Sequence, residues 1–297
     1  MTRRIGTVAA SGSASRRRSA LLVLLAVVAL AGCGQAGQQP SADHAGAEAD
    51  LGHVHGLGVD PADGTLYAAS HNGLFALPER GEPELVADRR QDTMGFTIVG
   101  PRHFLGSGHP APEDDELPDH LGLIETTDAG RTWRSVSLAG EADFHALEAK
   151  HGRVYGYESG AGRLMVTTDR QNWDRRARLA LADFTVHPSN PDVLLATTEH
   201  GPVRSTDGGR TFAPMPAAPL LLQLDWPTES MLIGIDPEGT LHTSRDGGTS
   251  WTEGGQVTGT PEALATHGPS RIYVATETGI HESRDGGRTL TLRQALT

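Results

Sequence analysis

The chain writes one eight-residue phrase four times. It reads TTDAGRTW at 126–133, STDGGRTF at 205–212, SRDGGTSW at 244–251 and SRDGGRTL at 283–290. A degenerate copy, VTTDRQNWD, surrounds Asp169. The aspartates Asp128, Asp169, Asp207, Asp246 and Asp285 are therefore 41, 38, 39 and 39 residues apart. A repeat of about forty residues, with short strands between turns, is the period of a propeller blade built as a four-stranded sheet.

Other segments keep step with the phrase. Strand pairs such as TLYAASHNGLFAL (65–77), VLLATTEHGPVRST (193–206) and RIYVATETGIHES (271–283) recur at the same period, with Tyr67, Tyr155 and Tyr273 in one slot. A further short strand precedes each pair, at 55–61, 96–101, 145–152, 184–191, 221–227 and 263–269. Their apolar letters are dense and only partly alternating, which suits strands buried between neighbouring blades. Six first strands predict an all-β, six-bladed β-propeller of four-stranded antiparallel blades over residues 51–297. Blade 1 carries ALPERGEPEL (76–85) in place of the phrase. The last blade ends with its own outer strand, RTLTLRQAL, and no strand is swapped from the N-terminus.

The phrase Ser/Thr-x-Asp-x-Gly-x-Thr-Trp/Phe resembles the Asp-box, or BNR repeat, of sialidase-like and glycosyl hydrolase-like propellers. It is also similar to repeats in photosystem assembly propellers and sorting-receptor ectodomains. The resemblance covers about five-sixths of the mature chain, counted from Cys33. It implies a hairpin between the third and fourth strands of a blade, in which the aspartate accepts backbone N–H groups of the turn, as Asx residues do. Gly130, Gly209, Gly248 and Gly287 are expected at positive φ, and Trp133, Trp173, Phe212 and Trp251 are expected to plug the gap between strands. A calcium- or substrate-binding role is the alternative for these aspartates. A ring rarely needs one catalytic residue five times, so the scaffold role is preferred, and the scaffold alone names no activity.

The first fifty residues stand apart. Arg3, Arg4 and Arg16-Arg17-Arg18 precede the apolar run SALLVLLAVVALAG (19–32). That run is shorter than the roughly twenty residues of a membrane-spanning helix and suits an export signal. It ends in Leu30-Ala31-Gly32-Cys33, which looks like a bacterial lipobox, with Cys33 the only cysteine in the chain. The expectation is a lipoprotein signal peptide over 1–32, a lipidated Cys33 and a flexible linker over 33–50. The protein would then be exported and lipid-anchored to the outer face of the bacterial cytoplasmic membrane. With Cys33 lipidated, no disulfide is available to the domain. Loss of the five leader arginines takes the formal charge from −12 to −17. Such a surface repels nucleic acid, so the expected partners are the membrane through its lipid and a small molecule, glycan or protein, with the domain a monomer.

Alternating strand directions sort the loops. The repeated phrases share one face with the turns at Asp60-Pro61 and His187-Pro188, and with His151 and His267. The opposite face collects His53 and His55 in HVHG, and His71 in the blade 1 turn. It also collects His109 and His120 in the insertion SGHPAPEDDELPDHLG (107–122), then Asp143, His145, Asp183, Gln223 and Glu262. His53, His55, His71, His109 and His145 are the candidate ligands of a zinc or copper ion at the channel mouth, with carboxylates orienting them. His-x-His on a strand places both rings on one face.

The sialidase-like resemblance implies a glycosidase with an arginine triad, a tyrosine nucleophile backed by glutamate, and an aspartate acid/base. No Arg-Ile-Pro phrase occurs, no arginine opens a first strand, and the tyrosines fall in repeat slots. If the chain is a glycoside hydrolase, Asp143, Asp183 and Glu262 are the best-placed carboxylates. Three functions remain: a binding propeller working through its His-rich face, a glycosidase on that face, or an assembly factor for an envelope complex.

Overall fold

A computed structural model describes residues 50–296. The leader, Cys33 and the linker up to residue 49 lie outside the described residues. Six four-stranded antiparallel sheets follow in chain order, at residues 54–85, 92–137, 144–178, 184–214, 223–256 and 261–295. In each, consecutive strands pair side by side from the innermost to the outermost. The inner strands are Val54–Val59, Asp92–Gly100, Phe144–Lys150, Phe184–Val186, Gln223–Thr228 and Pro261–His267.

The core is divided among the blade interfaces. Six separate apolar clusters form, one for each pair of neighbouring blades, including blade 6 against blade 1. Second and third strands lie between two such clusters, so Leu66–Ser70 and Gly279–Ser283 are buried at every position. Leu66–Ser70 accordingly reads as a nearly continuous apolar run, whereas Gly279–Ser283 buries His281, Glu282 and Ser283 as well.

The three repeat-slot tyrosines are all buried in these interfaces. Tyr155 donates its hydroxyl to the Pro191 carbonyl at 3.1 Å.

Among the described residues the ring closes without strand exchange. Leu51, Val54 and Leu57 pack on Ala263, Ala265 and Tyr273 of the last blade. Arg293 and Gln294, on the final outer strand, donate to the carbonyls of Leu77 and Gly81 in blade 1, at 3.0 and 3.1 Å.

Each repeated phrase forms the hairpin between third and fourth strands. In blade 4, Asp207 Oδ1 accepts the N–H groups of Arg210 and Thr211, both at 2.9 Å, and Oδ2 accepts the Thr211 hydroxyl at 2.6 Å. Gly209 sits at φ +85°, and a Cβ there would lie 2.3 Å from Leu164 Cδ2 in the neighbouring blade. The aromatic residues that follow lie over strands of their own sheet, Trp133 at Gly106 and Trp173 on Phe144, and reach beyond it. Trp133, Trp173, Phe212 and Trp251 each wedge between their own blade and the preceding one. Trp173 stacks on Phe144 at 4.8 Å and donates its indole N–H to Ser137 Oγ. Blade 1, which lacks the phrase, and blade 4, which carries it, both have outer strands of two residues, Glu84–Leu85 and Ala213–Pro214.

Blade 2 departs from the sequence expectation. Its inner strand starts at Asp92, four residues before Phe96, and its pairing slips between Thr93 and Gly95. A Cβ on Gly95 would meet the Phe144 carbonyl oxygen at 2.5 Å, so glycine lets the inner strands of blades 2 and 3 approach.

Candidate functional site

Inner strands converge on a central cavity of about 280 Å³, to which His53, His55, His145, Asp183, Asp225 and Glu262 contribute. Its carboxylates follow a rule. Each accepts a backbone N–H from the inner strand of the next blade. Glu148 Oε2 takes Val186 N at 2.7 Å, Asp183 Oδ2 takes Leu224 N at 2.8 Å, and Asp225 Oδ2 takes Thr266 N at 2.8 Å. Glu262 Oε2 completes the series by taking Val54 N of blade 1 at 3.0 Å. Inner strands in different sheets share no ladder, so these side chains satisfy N–H groups that would otherwise face the channel unpaired.

Burial sets the electrostatics of this ring. Asp183 is pushed up to about 7 by burial, with Glu148 and Asp225 adding to the rise and the N–H groups of Leu224 and Phe184 opposing it. Asp225 and Glu148 are also raised by burial, against Thr266 and Lys150 respectively. Lys150, the only lysine, lies 2.6 Å from Glu148 Oε1 and donates to the carbonyls of Val186 and Trp226.

The five histidines proposed as one ligand set form two groups. His53, His55 and His71 make the first. Their ring centroids are 4.8 Å apart for His53–His55, 4.5 Å for His55–His71 and 5.7 Å for His53–His71. His71 N donates to the His53 carbonyl at 3.0 Å, so the blade 1 turn is tied to the entering strand. Gly52, at φ +62°, passes close beneath His71 and Asn72, where a Cβ would come within 3.2 Å of both. His53 Nδ1 lies 3.0 Å from Glu262 Oε1.

Asp92, at the start of the blade 2 inner strand, completes this group. One donor atom each from His55, His71 and Asp92 falls within 4.8 Å of the others. The His55 side chain is 10 % exposed, and its Nε2 lies 3.5 Å from Asp92 Oδ1. Among the described residues neither atom finds a well-formed hydrogen bond. Burial holds the His55 pKa below its ordinary value despite the pull of Asp92, and His71 and His53 push the same way. A neutral imidazole beside a carboxylate is a ready metal-ligand pair.

His109 and His145 belong to a second group around Asp143. His145 Nε2 donates to Asp143 Oδ2 at 2.7 Å, and Ser159 Oγ donates to the same oxygen at 3.2 Å. His109 Nε2 is 3.9 Å from that oxygen. Burial raises the Asp143 pKa, but His145, His109 and Ser159 outweigh it and hold the carboxyl below its ordinary value.

The three carboxylates put forward for glycoside hydrolysis sit on three blades. Asp143 engages His145, Asp183 holds Leu224, and Glu262 holds Val54 and His53. Asp92 escaped sequence reading because Gln91-Asp-Thr-Met-Gly has too few apolar residues to read as strand. On the other face His151 Nε2 donates to the His187 carbonyl at 2.8 Å, and the His187 ring packs on Trp226.

No family model and no curated protein sequence matches the chain. Solved propellers do match in shape. A putative gluconolactonase is 14 % identical with a TM-score of 0.61, covering 84 % of this chain and 92 % of its own. A gluconolactonase from Xanthomonas campestris is 13 % identical with a TM-score of 0.59, covering 76 % and 84 %. YCF48 bound to D1 peptide is 16 % identical with a TM-score of 0.52, covering 82 % and 81 %. At these identities the likeness is one of fold, and the fold serves neighbours of varied function.

Proposed function

We propose that this chain is a lipid-anchored envelope propeller of the Asp-box type that holds a transition-metal ion, zinc or copper, at its channel mouth. Through that ion it binds a ligand or protein partner. The observation that carries the reading is the convergence of His55, His71 and Asp92, with the facing atoms of His55 and Asp92 buried and poorly paired. A buried polar pair without good hydrogen bonds is costly, and an ion between them removes that cost. A tetrahedral zinc with bonds of about 2.0–2.1 Å sets its donors roughly 3.3 Å apart, so small side-chain rotations suffice. Three protein donors leave a coordination position for the ligand, next to a cavity of about 280 Å³. YCF48 bound to D1 peptide is a propeller of this shape that engages a peptide, which supports the partner-binding form of the reading.

Metal analysis of untagged protein tests it. A bound ion is expected that is lost in both His55→Ala and Asp92→Ala, each still folded. Undiminished metal in the two variants refutes it. Detergent co-purification of a membrane complex would identify the partner and favour the assembly-factor form.

One observation favours a second reading, a glycoside hydrolase. Asp183, with its carboxyl pushed up to about 7 inside the cavity, has the protonation of a general acid at neutral pH. Turnover of fluorogenic glycosides that disappears in Asp183→Asn would establish it, and no turnover by the parent protein would remove it.

A further inference from the structure

The insertion in blade 2 has its own histidine pair, separate from His55, His71 and Asp92. His109 ends the second strand, and His120 lies eleven residues on, at the far end of the insertion. Their rings are 5.5 Å apart. His109 Nδ1 meets the Asp119 carbonyl oxygen at 2.7 Å. A carbonyl only accepts, so Nδ1 carries the proton, and in the neutral ring Nε2 keeps the lone pair for a metal. That nitrogen faces Asp143, and one donor atom from each of His109, His120 and Asp143 falls within 4.8 Å of the others.

Asp143 supplies the independent sign of a ligand. The residue is 8 % exposed, its Oδ2 is taken by His145 and Ser159, and its Oδ1 is buried without a partner. Two histidines with one carboxylate form a donor set for a divalent transition metal. The Asp119 carbonyl fixes the His109 tautomer and aims its ring, as outer partners of metal-bound imidazoles do.

We infer that His109, His120 and Asp143 bind a second divalent metal ion, zinc by its donor set, which pins the 110–122 insertion to the entrance of blade 3. The insertion is otherwise held mainly at its base, by Leu121 N to the Gly108 carbonyl at 2.9 Å and Gly140 N to the His120 carbonyl at 2.7 Å, and by Arg89 against Asp114 at 2.6 Å. The ion would join the two ends of the insertion to an aspartate whose other neighbour, His145, lines the central cavity. This site does not need the ion at His55, so the two can fail separately.

Zinc stoichiometry and proteolysis test it together. Untagged protein in detergent is stripped with chelator, reloaded with zinc and measured by mass spectrometry. Two equivalents are expected in the parent, with one in each of His120→Ala, His109→Ala and His55→Ala. Cleavage after Glu113 and Glu116, both exposed within the insertion, reports its opening. At zinc about 100 times the dissociation constant, opening and hence cleavage should slow about 100-fold. His55→Ala should keep that protection and His120→Ala should lose it, which also controls for any effect of zinc on the protease. The inference is overturned if His120→Ala retains both equivalents, if the only ion bound is one that His55→Ala removes, or if zinc protects His120→Ala as well as the parent.

Discussion

Glu262 Oε2 accepts the backbone N–H of Val54 at 3.0 Å, joining the last inner strand to the first. The same device joins blades 3 to 4, 4 to 5 and 5 to 6 through Glu148, Asp183 and Asp225. Only at Glu262 does it close the ring. The other oxygen of that carboxylate lies beside His53, so closure and the histidine group share one side chain.

Replacing Glu262 with alanine leaves the Val54 N–H buried and unpaired, since Val54 is fully buried. The expected loss is about 1–3 kcal/mol of unfolding free energy. Glu262→Gln keeps an accepting carbonyl oxygen and should lose less. Urea denaturation of the three proteins checks this. Equal stability of the alanine variant and the parent would remove the ring-closing role.

Asp183 makes stability fall as pH rises. Its carboxyl is raised from the ordinary 3.8 to about 7, chiefly by burial. Between those values the folded protein holds a proton that the unfolded chain has released. The stabilisation is complete below the lower value and has gone above the upper one. Asp183→Asn, which cannot ionise and can still accept from Leu224, should melt higher than the parent at pH 8 and close to it at pH 4. Thermal melts at both values check this, and a variant that melts lower at pH 8 contradicts it.

The repeated phrase has the opposite dependence. Asp246 is held down to about 2 by the Ser250 hydroxyl, the Ser250 N–H and the Ser244 hydroxyl. The stability it gives is full above its ordinary value of 3.8 and is lost as pH falls toward 2. Asp246→Ala should therefore melt below the parent at pH 7, and the gap should narrow by pH 3. A gap that stays constant would mean the ionised carboxylate contributes nothing beyond its shape.

The blade count and the hairpin placement were legible because a forty-residue period survives in the letters, whereas the way the ring closes was not, since a period is the same with or without a swapped strand. Tyr67, Tyr155 and Tyr273 share a slot because each meets a neighbouring blade in the same way. The division of the histidines was not legible. Loop length does not show which turn leans toward which, and Asp92 lies in a bulged, glycine-containing stretch with little strand signal. The carboxylate latches were hidden for a different reason, since their partners are backbone N–H groups that no residue type marks. A faint trace existed. Glu148, Asp183 and Asp225 stand 38, 41 and 41 residues before the strands they hold, one blade period in each case.

Anomalous diffraction from crystals of the untagged protein, recorded on either side of the zinc edge after zinc loading, tests the central claim most directly. The expected result is a peak bounded by His55 Nε2, an imidazole nitrogen of His71 and a carboxylate oxygen of Asp92. A well-ordered channel mouth with no peak among those three residues would contradict it.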